Sequence, residues 1–230
     1  MAYSRAGFIR QFLKGWKELH IMPQASRAVL EIEQHEPQEG RRLHFFAKGE
    51  EIPLVSQGVW QVCQGIVQLS TLYPNGEEVW LGWAEPSTFF GNWFSLLESY
   101  QATALLDVHL TWFSLAEINA SPRLAQLILP QLVRRMRQTE ALLSIAGQRR
   151  VEDRLLHLLL LMKREIGQPV TDGTRLNMRL THQNLANAIG TTRVTVTRLL
   201  SKLKNEGAIT LDRDRHIILK NDSFMKITDW

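Results

Sequence analysis

The sequence predicts an α+β protein in which a β-rich module, a long helix and a helix-turn-helix unit follow one another. Three observations support this fold class. Short β-rich runs broken by turn residues occupy residues 41–113, a helical pattern runs from Ser121 to about Gly147, and two short helices meet at Gly190 before a hairpin pattern. With 230 residues, of which 44% are apolar, the chain is long enough for two ordinary domains.

The clearest unit of the β-rich module is a hairpin. Residues 65–73 form its first strand, Pro74, Asn75 and Gly76 its turn, and residues 77–83 its second strand. The Asn-Gly pair supplies the positive φ angles that a tight hairpin turn requires. Short strands at this spacing indicate a barrel or roll. Four tryptophans either fill its core or form the floor of an apolar pocket: Trp80, Trp83, Trp93 and Trp112.

The long helix begins where Ser121 can act as N-cap and Pro122 can take the first helical position. Pro130 lacks an amide proton, so it should kink this helix or divide it into two segments. Beyond it, residues at alternating spacings of three and four form a seam of coiled-coil type: Val133, Met136, Glu140, Leu143 and Gly147. The seam either packs on the β-rich module or pairs with its copy in a second subunit.

The two short helices near the C-terminus have the pattern of a helix-turn-helix. Thr181 is the expected N-cap of the first helix, and Gly190 permits the tight turn between the two. The apolar residues recur at helical spacing on one face of each helix: Leu185, Ala186 and Ile189 on the first, and Val196, Leu199, Leu200 and Leu203 on the second. Residues 207–219 then read as a β-hairpin, the wing of a winged helix.

The open side of the second helix carries residues that suit DNA. From Arg175 to Lys220 there are nine basic and three acidic residues, although the whole chain has a formal charge of only +4. The alternative is an ordinary amphipathic surface helix. Under the DNA-binding interpretation, the expected contact residues lie on both helices and the turn: Thr181, Gln183, Thr191, Thr192, Arg193, Val194, Thr195, Arg198 and Lys202.

Composition excludes several other classes. Cys63 is the only cysteine, which rules out an internal disulfide framework and a four-cysteine iron–sulfur cluster and fits a reducing compartment. No uncharged apolar run reaches the length of a membrane span, so we expect a cytoplasmic protein. We find no catalytic constellation or metal-ligand cluster, and therefore expect no enzyme, metal or cofactor.

The N-terminal segment has apolar residues at helical spacing with basic residues between them. This pattern indicates either a helix packed on its own domain or a helix that lies on a membrane surface. The apolar positions are Phe8, Ile9, Phe12, Leu13, Trp16 and Leu19.

Roll, long helix and winged helix together resemble the CRP/FNR family of transcription regulators. Three segments are similar to its cyanobacterial nitrogen-regulator branch: residues 189–200, 135–140 and 64–70. The resemblance implies a cyclic-nucleotide-binding-like β-roll with the N-terminal helix in residues 1–120, a dimerisation helix and hinge in 121–149, a winged helix-turn-helix in 150–222, and a tail in 223–230.

The same resemblance implies a homodimer that binds double-stranded DNA at a two-fold site and contacts RNA polymerase. Where the cyclic-AMP branch has a base-reading glutamate, this chain has Val194, as the nitrogen branch does, and that branch is associated with GTA/TAC half-sites. We expect Arg193 to read guanine, Val194 and Thr195 to contact the neighbouring pair, and Arg198 to contact a base or a phosphate.

Residues of the roll and of the long helix bear on the effector. Asn92 stands where cyclic-nucleotide binders have glutamate, and Gln101 stands roughly where they have arginine. No Lys or Arg lies between Lys48 and Arg123, so a cyclic phosphate would lack a charged partner. The nitrogen branch implies 2-oxoglutarate instead, although its strand arginine has no counterpart here. The corresponding effector residues are Phe90, Gly91, Asn92, Trp93, Arg135 and Glu140.

Two alternatives stay open at this stage. Arg135 and Glu140 can form an ordinary ion pair across the dimer seam instead of an effector site. The protein can likewise be an effector-independent member of the family, or a protein-interaction module that keeps the fold.

Overall fold

The computed structural model describes residues 41–220, which form a β-roll, a long helix and a winged helix-turn-helix unit. The predicted α+β fold is confirmed. The amphipathic pattern of residues 8–19 and the tail from residue 223 lie outside the described residues. The strands of the roll are β1 (Leu43–Phe46), β2 (Gly58–Gln64), β3 (Val67–Leu72), β4 (Glu78–Ala84), β5 (Phe89–Phe90), β6 (Tyr100–Ala104) and β7 (Val108–Ser114), with a 3-10 turn at Asn92–Phe94.

The roll consists of two antiparallel sheets with strand orders β1-β7-β2-β5 and β4-β3-β6. Alternate residues of both sheets point into a shared core, as the two-residue period of a strand requires. The predicted hairpin is confirmed as β3 and β4, with Leu72 opposite Glu78 and with Gly76 at φ 83° in the turn. The buried core residues include Val62, Val67, Leu69, Ala84, Phe90, Ala102 and Leu110.

The four tryptophans do not share one role. Trp80 and Trp83 are 5% and 1% exposed, so these two fill a core. Trp112 is partly buried and packs edge-on against Trp60, with 5.0 Å between ring centroids. Trp93 is 48% exposed, and the core interpretation is therefore wrong for this residue.

Helix α1 (Leu115–Ala120) leads into the long helix α2 (Pro122–Ala146). Ser121 caps α2 as predicted, because its hydroxyl accepts a hydrogen bond from the Leu124 amide at 3.3 Å. The predicted alternative in which Pro130 divides this helix in two is wrong, because α2 continues without a break past Pro130. A proline removes only one backbone hydrogen bond of the helix. The helix can therefore continue past Pro130, where Ile128 and Gln131 on either side are buried.

The predicted seam of α2 lies on the side away from the roll. Met136 is 56% exposed and Leu143 is 73% exposed in the single chain. The buried positions of the helix are instead Ile128, Gln131, Gln138 and Ile145. The alternative in which the seam packs on the β-rich module is therefore wrong for Met136 and Leu143.

The C-terminal unit begins with α3 (Val151–Ile166) and contains the two helices of the helix-turn-helix, α4 (His182–Ile189) and α5 (Arg193–Asn205). Its sheet consists of β8 (Gly167–Val170), β9 (Gly173–Leu176), β10 (Ile209–Leu211) and β11 (Ile217–Leu219), in the order β10-β11-β9-β8. The predicted wing is confirmed as β10 (Ile209–Leu211) and β11 (Ile217–Leu219). The sequence analysis missed β8 and β9, although an Asp-Gly pair is a typical hairpin signal. The turn itself falls on Thr171 and Asp172, because Val170 pairs with Gly173.

The C-terminal unit packs directly against the roll. Trp80 and Trp83 belong to the same buried apolar cluster as Leu155, Leu185 and Ala186 of the C-terminal helices. Strand β4 also contacts α4. Within residues 41–220, no helix is long and apolar enough to cross a membrane.

Candidate nucleic-acid interface

The turn between α4 and α5 has the geometry that the sequence predicts. Gly190 has φ 60° and ψ 57°, a left-handed conformation that glycine adopts without a Cβ clash. Thr181 caps α4, because its hydroxyl accepts from the Asn184 amide at 3.0 Å while Asn184 Oδ1 accepts from the Thr181 amide at 3.0 Å. This reciprocal capping box fixes the start of the first helix.

Helix α5 presents its polar side to solvent. Thr192 is its N-cap and accepts from the Thr195 amide at 3.2 Å. Val196, Leu199, Leu200 and Leu203 are buried, as the sequence predicts. With 3.6 residues per turn, Val194 and Arg198 lie opposite this stripe, and Arg193 lies on the flank towards α4. Arg193 and Arg198 are exposed, and Val194 is 78% exposed, so this face is open to a partner.

A cleft of about 780 Å³ lies between the start of α4, helix α5 and the wing. Four cationic side chains line it over an apolar floor, which suits a polyanion with sugar or base groups. The cationic residues are Arg179, Arg193, Lys204 and Arg215, and the floor is formed by Leu200, Ile209, Leu211 and Ile217. Arg179, Lys204 and Arg215 were not among the predicted contact residues, although the local excess of basic residues pointed to them.

His182 is a further residue of this cleft that the sequence analysis missed. Thr197 Oγ1 donates to the Arg193 carbonyl at 2.9 Å, so the same oxygen must accept from His182 Nδ1 at 2.7 Å. The ring is thereby protonated at Nδ1, which leaves Nε2 for a partner. This bond joins the first turn of α4 to α5.

Besides the capping residues Thr181, Thr192 and Thr195, three more of the predicted DNA-contact residues have partners within the protein. Lys202 contacts Glu152 of α3 at 2.7 Å, and the bond to this carboxylate raises the pKa of Lys202. Gln183 donates to Asn187 at 2.6 Å, and the Thr191 amide donates to the Ala186 carbonyl at 3.0 Å. These contacts give Lys202, Gln183 and Thr191 structural roles beside any contact with DNA.

The turn of the wing is held by a charged cluster. Arg175 donates to Asp212 at 2.7 Å and to His216 Nδ1 at 2.8 Å. The bond from Arg175 is the main reason that the pKa of Asp212 falls to about 2. Asp214 completes a group of possible metal ligands with Asp212 and His216, but the Arg175 guanidinium already holds two of the three.

The predicted effector loop follows β5. Phe90 is buried in the core of the roll, and Trp93 is largely exposed. Asn92 Nδ2 donates weakly to the Leu54 carbonyl at 3.5 Å, while its buried Oδ1 has no partner among the described residues. Gly91 approaches strand β2 closely, since a Cβ there would lie 3.2 Å from the Gly58 carbonyl oxygen.

Arg135 lies away from the exposed seam, against the roll. It donates to the Leu81 carbonyl at 2.9 Å and to Gln138, and burial lowers its pKa. Burial likewise raises the pKa of Tyr100, which interacts electrostatically with Arg135, to about 12. Within residues 41–220, no carboxylate lies within 4.0 Å of Arg135. Glu140 is exposed on the seam side and does not pair with Arg135 in the single chain.

Comparison with known proteins agrees with this architecture. The model of the Crp-like helix-turn-helix domain matches residues 153–223. The global nitrogen regulator of Synechococcus elongatus is 34% identical over 83% of this chain and 86% of its own length, and that of Nostoc sp. is 33% identical over 72% and 78%. The regulatory protein CysR of Synechococcus elongatus is 34% identical over 74% and 79%.

Solved structures show the same fold. FixK2 from Bradyrhizobium japonicum has a TM-score of 0.69 at 21% identity, covering 83% of this chain and 98% of its own. A CRP/FNR-family transcriptional regulator from Thermus thermophilus has a TM-score of 0.65 at 23% identity, covering 82% and 99%. Together with the exposed face of α5, which we call the reading helix, these similarities establish that the chain belongs to the CRP/FNR family of DNA-binding transcription regulators.

Proposed function

We propose that this protein is a homodimeric regulator that reads a two-fold DNA site with GTA/TAC-like half-sites. The observation that carries the proposal is the exposed face of α5. Val194, Arg193 and Arg198 lie on this face, outside the buried stripe. Arg193 offers a guanidinium fork to guanine, and Val194 offers an apolar contact to a thymine methyl group. The half-site preference follows from the likeness to the global nitrogen regulators.

The dimer is supported by the exposed seam of α2. Leu129 extends the predicted seam by one heptad before Met136. Leu129, Met136 and Leu143 are spaced seven residues apart and are 62%, 56% and 73% exposed. A seven-residue repeat places these side chains along one line of the helix, which suits a parallel pair of helices. Two reading helices related by the resulting two-fold axis match a two-fold DNA site.

We further propose that 2-oxoglutarate binds at Arg135 and that the protein regulates genes of nitrogen metabolism in the cytoplasm. Partial burial disfavours the charged Arg135 guanidinium, and within residues 41–220 no carboxylate lies within 4.0 Å of it, so an anionic ligand would relieve that cost. Among the described residues, Arg135 donates only to Gln138 and Leu81, which uses two of its five N–H groups and leaves donors for a ligand. Cyclic AMP is disfavoured because the effector loop carries the neutral Asn92 where the cyclic-AMP branch has a glutamate.

Gln101 supports the same conclusion about cyclic AMP. Its neighbours in β6, Ala102 and Ala104, point into the core of the roll. Since residues alternate along a strand, Gln101 and Thr103 face away from the interior. Gln101 therefore cannot replace the phosphate-binding arginine of the cyclic-nucleotide binders inside the roll.

Contact with RNA polymerase is also part of the proposal. It is supported by relatives such as the transcriptional activator protein FnrL of Cereibacter sphaeroides, which is 25% identical over 70% of this chain.

Selection from random double-stranded DNA, with and without 2-oxoglutarate, tests the proposal. We expect a two-fold motif whose half-sites are about 34 Å apart, and tighter binding with 2-oxoglutarate. The variant Arg135→Gln should select the same motif but lose the response to the ligand. Arg42→Gln, which removes the same charge at an exposed position before β1, serves as its control. Selection without any ligand response indicates an effector-independent member, and no enriched motif contradicts the DNA-reading proposal.

A further inference from the structure

Four polar side chains join the roll to the first helix of the helix-turn-helix. We name them the docking quartet: Gln68 of β3, Glu78 of β4, and Asn184 and Asn187 of α4. Glu78 accepts from Gln68 at 2.5 Å and from Asn187 at 2.7 Å. Gln68 in turn accepts from Asn184 at 3.1 Å. Asn184 and Asn187 are three residues apart, so both lie on the same side of α4.

The quartet is held firmly at its roll end. Gln68 is only 4% exposed, and the neighbouring Trp80 and Trp83 are buried beneath the C-terminal unit. Hydrogen bonds to a carboxylate are stronger than those between neutral groups, and exclusion of water strengthens them further. The contact is therefore more than a pair of exposed side chains that meet in solvent.

At its other end, the quartet is connected to the DNA-facing residues of α4. Asn184 belongs to the capping box with Thr181, and Asn187 accepts from Gln183 at 2.6 Å. Val194 on the reading helix nevertheless stays 78% exposed. The contact thus leaves the reading face open while it fixes the side of α4 that points to the roll.

Orientation matters because only residues 147–150 connect α2 to α3. In a dimer built on α2, rotation about this connection would change the distance between the two reading helices. Full contact with a two-fold site requires that distance to match the half-site separation of about 34 Å.

We propose that Glu78 and Gln68 are positioning residues, which set the orientation of the reading helix and thereby the half-site spacing that the dimer accepts. This inference rests on the proposed function of a dimer on two-fold DNA. The quartet acts through α4 and makes no base contact itself.

The test uses the full-length protein and the variant Glu78→Gln. Both Gln68 Nε2 and Asn187 Nδ2 donate to the Glu78 carboxylate. A glutamine at position 78 has only one side-chain oxygen, so its NH2 group would face one of these two donors and one hydrogen bond of the quartet is lost. We expect an unchanged affinity for a single half-site, and about a tenfold smaller preference for the best spacing over sites with one or two base pairs inserted at the centre. Glu77→Gln is the matched control. This substitution removes the same charge from the same hairpin, but Glu77 contacts Asn75 in the turn and no member of the quartet.

The double variant Glu78→Gln with Asn187→Asp should restore the spacing preference. In it the new amide donates to the new carboxylate, which still accepts from Gln183. An unchanged spacing profile in Glu78→Gln overturns the inference, and so does an equal loss of affinity for half-sites and two-fold sites at every spacing.

A measurement without DNA keeps this inference separate from the DNA-reading proposal. Spin labels on cysteines introduced at Tyr73 and Val194, which are 53% and 78% exposed, report the distance between roll and reading helix in a Cys63→Ser background. We expect Glu78→Gln to broaden the distance distribution and Glu77→Gln to leave it unchanged. An unbroadened distribution refutes the positioning role, whereas failure of the parent to bind two-fold DNA refutes only the proposed function.

Discussion

Gln138 donates a hydrogen bond from its side-chain amide to Glu165 at 2.7 Å, and this bond joins the long helix α2 to helix α3. The other end of the same amide faces the roll, where Gln138 Oε1 accepts from Arg135 and from the Trp83 amide, the latter at 3.3 Å. A single buried side chain therefore connects the β-roll, the long helix and the C-terminal unit.

Because the carboxyl group of Glu165 is partly buried, we predict that the free energy of unfolding of the protein depends on pH. Burial raises its pKa, although the bond from Gln138 and the nearby Arg134 oppose the shift. A raised pKa in the folded state means that this group favours folding when it is protonated, and that the contribution disappears as the pH rises through the folded-state pKa. Glu165→Gln, which still accepts from Gln138, should therefore be more stable than the parent at pH 7.

Urea unfolding at pH 7 and at about pH 4, near the ordinary pKa of glutamate, measures this effect. The difference between variant and parent should shrink at the lower pH, where the parent carboxyl is also protonated. Glu98→Gln is the control, because Glu98 is exposed in the loop before β6 and lies outside α2 and its seam. A variant that is less stable than the parent at pH 7 contradicts the prediction.

Arg193 should determine base preference rather than general affinity. We expect Arg193→Ala to weaken binding to the selected site by about 1 to 3 kcal/mol and to relax the preference at one position of each half-site. Lys204→Ala, in the same cleft, should instead weaken all sequences alike and reduce the salt dependence by about one counterion. Fluorescence anisotropy on single-base variants of the site distinguishes the two, and a uniform loss for Arg193→Ala would make this residue a phosphate contact.

The sequence predicted what local chemistry determines. Thr181 and Gly190 define the helix-turn-helix through a cap and a left-handed turn, both of which depend on neighbouring residues only. The pairing of Lys202 with Glu152 joins residues 50 apart, and the bond from Asn184 to Gln68 joins residues 116 apart. No periodicity predicts such contacts, because they depend on how the two units pack.

We expect a glycine to be required at position 190 because of its backbone conformation, and not because a side chain would clash with its neighbours. A Cβ at this position would meet only an Arg154 nitrogen at 3.8 Å, an ordinary contact, but φ is +60°. Gly190→Ala should therefore destabilise the C-terminal unit by about 1 kcal/mol, and Gly190→Asn by less. Gly147→Ala is the control: its φ is −72° with neighbours at 3.6 Å, so we expect a neutral or slightly stabilising change in urea unfolding. Equal losses at the two glycines would contradict this explanation.

Leu143 provides the most direct test of the dimer. It is 73% exposed in the single chain and lies one heptad beyond Met136 on the seam of α2. A glutamate at this position would replace an apolar contact and bring two further like charges together in the seam, where Glu140 already lies, and this weakens association. We expect Leu143→Glu to sediment as a monomer and to lose cooperative binding to two-fold DNA, while its binding to a single half-site is retained. Ser144→Glu places the same charge on the next exposed residue, outside the seam, and should remain dimeric. If Leu143→Glu is as dimeric as the parent, the two chains associate through another surface, and the seam has to be assigned to a different partner.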